Sequence, residues 1–267
     1  MKVFLNGKPV EINRAISLKD FLNKYFSDFD NVILNTVLRP DFSTILKEGD
    51  RISVFKKGEI PPDISLKDLM FARQPDNYTE RLQQSVVGIA GLGGLGSVIG
   101  ENLVRAGVGK LVVADFDIVE PPNLNRQRYF VHQIGELKVK AFKENMDKIS
   151  GFTKVEGHIL KITRDNVEVF KDCHIVAECF DNPEAKAELV SGIREKFPEK
   201  VIVAASGVAG FDSEKTISVK KISDKIYIVG DGVSEVRDGL GLVATRVGVA
   251  ASIQSHLIVR ILLGLEK

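Results

Sequence analysis

The stretch of sequence that decides the fold reads VVGIAGLGGLGSVIG over residues 86–100. Its first five residues form a continuous apolar run, which is typical of a strand buried on both faces of a parallel sheet. Gly91, Gly93 and Gly96 then match the pattern G-x-G-x-x-G, and a helical pattern begins at Leu95. Glycine allows a positive φ and leaves no Cβ between the backbone and a ligand. The stretch therefore predicts a strand, a tight turn and a helix whose N-terminus can hold a phosphate.

The sequence that follows alternates between apolar strands and helices. We expect them in turn at 86–90, 95–106, 111–114, 139–149, 174–177, 184–196, 201–204 and 242–263. Two β-rich runs, at 216–219 and 225–229, surround a polar turn and predict an antiparallel hairpin. This alternation predicts an α/β fold with a Rossmann-like, doubly wound, mostly parallel sheet.

The N-terminal part of the chain has a different pattern. Runs rich in β-formers at 2–5 and 10–12 flank a turn, Ser17 begins a helix, and short strands follow at 32–34 and 52–55. This order of elements predicts a small ubiquitin-like β-grasp domain. We therefore expect a β-grasp domain at 1–58, a linker with a short helix at 59–81, and a nucleotide-binding domain at 82–267.

Charge and cysteine content argue against several classes of site. The chain has 37 basic and 36 acidic residues, a net charge of +1, so we expect no nucleic-acid partner. The cysteines Cys173 and Cys179 form no Cys-x-x-Cys pair, which argues against a disulfide framework and a four-cysteine zinc site. Glycines interrupt the longest uncharged run, 82–100, so we expect no membrane span. No targeting segment is visible, and we expect a cytoplasmic protein.

The segment after the strand at 111–114 is unusually polar and reads DFDIVEPPNLNRQ over 115–127. Asp115, at the end of that strand, can accept hydrogen bonds from ribose hydroxyls. The glycine motif and this carboxylate indicate a nucleotide site without distinguishing NAD, FAD and ATP. Nucleotidyl transfer builds negative charge on the phosphates, which Arg126 and Lys138 can stabilise. On charge alone, a solvated loop and an ordinary surface lysine are the favoured interpretation of the same residues.

Asp181 follows the strand at 174–177, at the edge where open α/β sheets bind ligands. A lone carboxylate there suits Mg²⁺, which favours carboxylate and phosphate oxygens. The alternative is a helix N-cap, since Asp181 and Asn182 come just before Pro183 at a predicted helix start. Both interpretations hold if the two residues divide the roles.

Taken in order, these motifs resemble the ThiF/MoeB superfamily, the adenylyltransferases that activate ubiquitin-like proteins. The resemblance covers roughly residues 73–260. The glycine loop alone is a weak signal, whereas several motifs in order are specific. The matching segments are Gly91–Gly96 followed by Ser97, Asp115–Asp117, Asn123–Gln127, Gly135-x-x-Lys138 and Cys179–Asn182.

The resemblance implies a site for ATP with Mg²⁺ and a role for each matching residue. Arg126, Lys138 and Asp181 are the implied catalytic residues, with Asp181 as the Mg²⁺ ligand. Arg73 is a candidate for the arginine that family members often supply from a partner subunit. The implied nucleotide ligands are Gly91, Gly93, Gly94, Gly96, Asp115 at the ribose, Asn123 at the phosphates, Asn125 and Asn182.

The implied reaction joins AMP to the C-terminal carboxylate of a small carrier protein that ends in Gly-Gly. Pyrophosphate leaves, and sulfur then attacks the acyl-adenylate. Many relatives bind a structural zinc through two Cys-x-x-Cys pairs, which this chain lacks, so no zinc is expected. Some relatives use a cysteine on the loop before the last helix, and the loop at 230–241 has none. Cys173 and Cys179 have the character of core residues, so we expect no covalent step on this chain.

Residues 48–55 look like the last strand of the ThiS-type sulfur carriers, which end in a free Gly-Gly carboxylate. Here the chain continues past Gly58 into the expected linker. An internal peptide carbonyl cannot attack ATP as a carboxylate does. This domain therefore cannot be the substrate unless a protease exposes Gly58. Our hypothesis is a degenerate carrier, retained for docking, dimer contacts or regulation.

The favoured hypothesis for the whole chain is an ATP-dependent adenylyltransferase for a ThiS-like sulfur carrier, acting in thiamine-thiazole sulfur transfer. A related branch of the superfamily adenylates other carboxylates or a tRNA base, but the fused ThiS-like domain favours the sulfur-carrier branch. The alternatives are a non-catalytic nucleotide- or carrier-binding pseudo-enzyme and an NAD-dependent oxidoreductase. The four histidines show no arrangement that would serve a nicotinamide. Because relatives are commonly homodimers, we expect a homodimer.

Overall fold

The computed structural model of the protein describes residues 1–61 and 63–266. Pro62 of the expected linker and Lys267 of the expected last domain lie outside the described residues. The chain divides into two compact units, Met1–Thr79 and Glu80–Lys267. Within the described ranges, no helix is long and apolar enough to cross a bilayer.

The first unit contains a five-stranded sheet with the order β2-β1-β5-β3-β4. β1 and β5 are parallel, and the other neighbours are antiparallel. This is the β-grasp arrangement that the sequence predicts. The elements are β1 (Lys2–Leu5), β2 (Lys8–Glu11), α1 (Leu18–Tyr25), β3 (Asn31–Leu34), β4 (Val37–Leu38), β5 (Arg51–Phe55) and α2 (Asp63–Phe71), and α3 (Asp76–Gln83) spans the division between the units.

Helix α1 supplies the core of the first unit. It begins after Ser17, whose Oγ accepts a hydrogen bond from the Asp20 N–H at 3.1 Å. This bond satisfies one of the free N–H groups of the first turn. Leu18, Phe21 and Leu22 are fully buried among apolar strand residues. Helical spacing of these three side chains thus gives α1 one apolar face, which covers the sheet.

The second unit contains a seven-stranded sheet with the order β11-β12-β10-β9-β6-β7-β8. Neighbouring strands are parallel except for the hairpin β11–β12. The elements are β6 (Val86–Ala90), α4 (Gly94–Ala106), β7 (Lys110–Asp115), α5 (Lys138–Asp147), β8 (Lys154–Ile159), β9 (Ile175–Glu178), α6 (Pro183–Lys196), β10 (Val201–Ala205), β11 (Ser218–Ser223), β12 (Ile226–Gly230) and α7 (Ala244–Leu262).

The strand order places a switch in winding direction beside β6. The chain passes from β6 to β7 and β8 on one side, and then returns with β9 and β10 on the other. Crossover connections diverge at such a point and leave a crevice at the carboxyl ends of the strands. The doubly wound α/β fold class with an antiparallel hairpin, preceded by a β-grasp fold, is confirmed.

The structure also contains elements that sequence patterns did not predict. The strand β8 lies at a sheet edge, and Val155 is its one buried residue. An edge strand needs few apolar side chains, so its periodicity is weak. In the expected linker, α2 begins at Asp63.

Candidate functional site

A cleft of about 1010 Å³ opens at the carboxyl edge of the second sheet. Much of its lining consists of residues at the ends of parallel strands, including Gly91 after β6, Asp115 in β7 and Cys179 after β9. Residues 232–236, between β12 and α7, contribute a further wall. Because the strands run in one direction, side chains far apart in sequence meet at this edge.

The glycine loop forms the floor of the cleft beside the start of α4. Gly91 has a φ of +92°, which favours glycine, and its N–H donates to the Ala114 carbonyl at 2.9 Å. A Cβ on Gly96 would lie 1.9 Å from the Gly91 carbonyl oxygen, so glycine is required there. The helix begins at Gly94, and the N–H groups of its first turn lack helical partners. Gly93 and Gly94 line the cleft, where these groups suit a phosphate.

The carboxylate of Asp115 is held rigidly by the backbone. Its Oδ2 accepts the Leu92 N–H at 2.6 Å, and its Oδ1 accepts the Asp117 N–H at 2.8 Å. The residue is buried yet lines the cleft. Each carboxylate oxygen has a second acceptor position, so the group can still accept hydrogen bonds from two hydroxyls.

Arg126 and Lys138 bring two positive charges to the same cleft. Arg126 Nη1 donates to the Pro122 carbonyl at 3.1 Å and to Asn125 Oδ1 at 3.0 Å. Lys138 is the first residue of α5, and its side chain is 7% exposed. Its Nζ lies 2.9 Å from Asp117 Oδ2. Both side chains therefore line the cleft that also contains the glycine loop, and Lys138 is paired with a carboxylate that is itself 49% exposed.

The two polar residues after β9 have different environments. Asn182 Oδ1 accepts the Ala185 N–H at 2.9 Å, so Asn182 is the N-cap of α6 and Pro183 is its first residue. Asp181 is exposed and lines the cleft. Across residues 1–61 and 63–266, no hydrogen bond or ion pair involves its carboxylate. The cap and the free carboxylate are thus separate residues, which leaves Asp181 available for a cation.

Four residues with predicted ligand roles do not line the cleft: Gly96, Asn123, Asn125 and Arg73. Gly96 packs against the glycine loop, and Asn123 Oδ1 accepts the Glu120 N–H at 3.0 Å. Asn125 holds Arg126 through its Oδ1. Arg73 is exposed and belongs to the first unit. The structure gives the first three local structural contacts, and ligand roles for all four stay predictions.

Sequence reasoning missed a buried ion pair in the wall of the cleft. Glu178, the last residue of β9, is 0% exposed, and Lys186 Nζ lies 2.8 Å from its Oε2 and 3.0 Å from its Oε1. Burial raises the pKa of Glu178, although Lys186 opposes that shift. The signal was present, since an acidic residue ends the apolar run 175–177.

A second buried ion pair, which the sequence did not predict either, holds the loop between β12 and α7. Arg246 in α7 donates to Asp231 Oδ2 at 2.6 Å and to the Asp212 carbonyl at 2.7 Å. Burial would raise the pKa of Asp231, but backbone N–H groups and Arg246 outweigh it and hold the pKa at about 2. Further along the loop, Val233 and Val236 line the cleft and are 82% and 64% exposed. The loop thus has a fixed base and an apolar, accessible tip.

Both cysteines are buried. Cys173 lies just before β9, and burial raises its thiol pKa to about 12. Cys179 lines the cleft but is 7% exposed, and burial raises its pKa well above the usual range. A thiol with a raised pKa contains little thiolate at neutral pH, so neither side chain has the properties of a nucleophile.

Comparison with known proteins extends over both units. The ThiF family matches residues 66–267, and the ThiS-like ubiquitin family matches residues 1–58. Ubiquitin-like modifier-activating enzyme 5 of Caenorhabditis elegans is 34% identical over 145 residues, covering 50% of this chain and 34% of the relative. Its counterpart in Branchiostoma floridae is 37% identical over 134 residues, covering 45% and 33%. The chain therefore spans about a third of the length of these curated relatives.

Solved structures share the fold at low identity. The Escherichia coli tRNA N6-threonylcarbamoyladenosine dehydratase TcdA, solved in complex with ATP, superposes with a TM-score of 0.66. It is 20% identical and covers 73% of this chain and 92% of its own. Escherichia coli MccB with ATP has a TM-score of 0.54 at 17% identity, covering 77% and 63%. With a family match that spans the whole doubly wound sheet and its cleft, the chain belongs to the ThiF family and has a ThiS-like ubiquitin domain at its N-terminus.

Proposed function

We propose that the chain binds ATP in the cleft and transfers AMP to the C-terminal carboxylate of a ubiquitin-like carrier protein. The observation that supports this most strongly is that Arg126, Lys138 and Asp181 line the same cleft as the glycine loop. Membership of the ThiF family and the similarity to activating enzymes for ubiquitin-like modifiers point to the same reaction. An oxidoreductase would not need two cations and a free carboxylate at the phosphates.

The glycine loop and Asp115 would orient the nucleotide. In this proposal, the N–H groups at the start of α4 bind phosphate oxygens, since Gly93 and Gly94 leave the backbone accessible. The Asp115 carboxylate accepts hydrogen bonds from the ribose hydroxyls, using the lone pairs that Leu92 and Asp117 leave free. A rigid ribose contact places the α-phosphorus at a defined position in the cleft.

Arg126 and Lys138 would stabilise charge as the reaction proceeds. A carboxylate oxygen of the carrier attacks the α-phosphorus, a P–O bond forms, and the bond to pyrophosphate breaks. The carrier carboxylate is already ionised at neutral pH, so no side chain has to remove a proton. Negative charge grows on the α-phosphate oxygens and the leaving pyrophosphate, where preorganised cations contribute most. To bind phosphate, the Lys138 ammonium exchanges some of its contact with Asp117 for the ligand.

Asp181 is the proposed Mg²⁺ ligand. Mg²⁺ usually binds through one or two carboxylates plus substrate phosphates, and an exposed, unpaired carboxylate in the cleft fits that donor set. When bound, the ion would neutralise negative charge on the phosphates. Among the described residues no group of three or more His, Cys, Asp or Glu side chains could hold a metal. The ion would therefore arrive with the nucleotide.

The proposed carrier is a ThiS-like sulfur carrier that ends in Gly-Gly. The ThiS-like ubiquitin domain of the chain supports this choice, as does the likeness to enzymes that activate ubiquitin-like modifiers. Because Cys173 and Cys179 are buried with raised pKa values, the acyl-adenylate would react with a sulfur nucleophile from another molecule. We extend the proposal to thiamine-thiazole sulfur transfer by a cytoplasmic homodimer.

For the N-terminal domain we propose a degenerate carrier. It has the β-grasp sheet order, but β5 leads through Gly58 into α2 and not to a free carboxylate. Deleting residues 1–58 tests the idea, with circular dichroism as the check that the rest remains folded. We expect weaker carrier binding or altered assembly. Unchanged assembly, carrier affinity and turnover would leave this role without support.

Calorimetric titration tests the nucleotide proposal without knowledge of the carrier. The expected result is micromolar binding of ATP with Mg²⁺, weakened in Arg126→Ala, and no binding of NAD. Binding of NAD alone would reverse the choice of nucleotide. Binding of neither would favour a pseudo-enzyme. With a carrier in hand, ATP–pyrophosphate exchange measures the adenylation step, which Arg126→Ala should slow by about a hundredfold or more.

A further inference from the structure

Burying the ion pair Glu178–Lys186 in the protein interior costs free energy. Glu178 is completely buried, and the Lys186 side chain is 26% exposed. Removing charges from water is unfavourable, and an apolar pair of similar volume is often equally or more stable. The strand end where the pair lies is otherwise apolar, since Ile175, Val176 and Ala177 are buried. Packing alone therefore does not explain a charged pair at this position.

The pair makes contacts that connect three elements at the cleft. Lys186 in α6 donates to both oxygens of Glu178 in β9 and to the Ala205 carbonyl at the end of β10, at 2.9 Å. Glu178 Oε1 also accepts the N–H of Phe180 at 2.7 Å. This last bond holds the backbone one residue before Asp181. The turn that presents the free carboxylate is thus fixed to the buried pair from within.

We propose that Glu178 and Lys186 are positioning residues, which hold the turn 179–181 so that the Asp181 carboxylate faces the phosphate-bound cation. This role rests on the proposed nucleotide site. Neither residue needs to touch the nucleotide. Carboxylate ligands are oriented by such hydrogen-bonded supports, and losing one typically costs about 10–100-fold in metal affinity or activity.

Two variants and a matched control test the proposal. Lys186→Met removes the ammonium, and a double variant, Glu178→Met with Lys186→Met, also removes the carboxylate that would otherwise stay buried alone. The double variant should fold with stability equal to or above that of the native chain. The control is Lys200→Met, because Lys200 is buried too and its Nζ donates to the Cys173 carbonyl at 2.7 Å, at the opposite end of β9.

The first measurement is hydrogen exchange without nucleotide. We expect the Phe180 amide to exchange at least tenfold faster in the double variant and at the native rate in Lys200→Met. The second is calorimetric binding of ATP at increasing Mg²⁺. The Mg²⁺ concentration for half-maximal binding should rise about 10–100-fold in both test variants, while ATP affinity in EDTA stays within twofold. Lys186→Arg keeps a cation at this position and should retain the exchange protection of the native chain.

Two outcomes would overturn the proposal: native Phe180 exchange in the double variant, or a Mg²⁺ dependence that Lys200→Met shifts as far as the double variant does. Different results would show that the proposed function itself is wrong. If the native chain does not bind ATP, or binds it without regard to Mg²⁺, the nucleotide proposal is wrong. The exchange measurement then still decides whether the pair holds the turn.

Discussion

Replacing Lys138 with methionine should remove most of the adenylation rate and leave the fold intact. The side chain is 7% exposed, and Asp117, its partner, is 49% exposed and can be hydrated when the ammonium is gone. Methionine fills nearly the same volume without a charge. The variant therefore isolates the electrostatic contribution of Lys138 from its packing.

The size of the expected decrease in kcat follows from the burial of the Lys138 ammonium. Two unit charges about 4 Å apart interact by about 4 kcal/mol at an effective dielectric constant of about 20. Part of this is already used by Asp117, whose Oδ2 is 2.9 Å from Lys138 Nζ. Loss of one preorganised contact to developing charge costs about 2.7–4 kcal/mol in well-studied enzymes. We therefore expect a decrease in kcat of about 100–1,000-fold.

The assay is ATP–pyrophosphate exchange with a saturating carrier, and the matched control is Lys140→Met. Lys140 is exposed in the same first turn of α5, so it reports the effect of net charge alone. We expect the control to stay within about threefold of the native rate. A loss of less than tenfold in Lys138→Met, or an equal loss in both variants, would refute the assigned role of Lys138.

The remaining predictions concern the separate roles of neighbouring groups. Asn182→Ala should lower the free energy of unfolding by about 1 kcal/mol, because α6 loses its cap. Asp181→Ala should leave stability unchanged and weaken the Mg²⁺ dependence of ATP binding. Urea denaturation measures the first effect and calorimetry the second, and together they show whether the two effects are separate. Cys173 and Cys179 should resist iodoacetamide at pH 8 in the native chain and react in denaturant, and rapid native labelling of either would contradict their burial. The pKa of Asp231 is about 2 in the fold against an ordinary 3.8, so its contribution to stability is complete above about pH 4 and is lost as the pH falls toward 2. Asp231→Asn should flatten the stability profile in that range, and an unchanged acid limb would argue against the pair with the α7 arginine.

Local sequence patterns were enough to predict the parallel sheet and its glycine loop. The run 86–90 is apolar throughout because β6 is buried on both faces, and the loop needs glycine where Gly91 has a positive φ. Two of the edge strands, β4 and β8, were not predicted. β8 covers the end of the sheet with one buried residue, and β4 is two residues long. Neither leaves a periodic pattern that a single sequence can reveal.

The position of each side chain in the cleft depended on contacts that are distant in sequence. Asp181 and Asn182 are equally good caps by residue type, and only the hydrogen bond to Ala185 distinguishes them. The buried pair Glu178–Lys186 likewise depends on the Ala205 carbonyl at the end of β10, which lies 19 residues beyond Lys186. Sequence neighbours cannot indicate which carbonyl a lysine will reach once strands pack side by side.

By itself, the sequence determined the fold class and the family, and it supplied the candidate site residues, since periodicity, glycine spacing and motif order are local properties of the chain. The tertiary structure alone decided which of these residues share the cleft. It separated Asp181 from its capping neighbour and revealed that Lys138 is buried against Asp117. The physical reason is that strand order and helix packing set burial and charge pairing, and these depend on residues brought together only when the sheet forms.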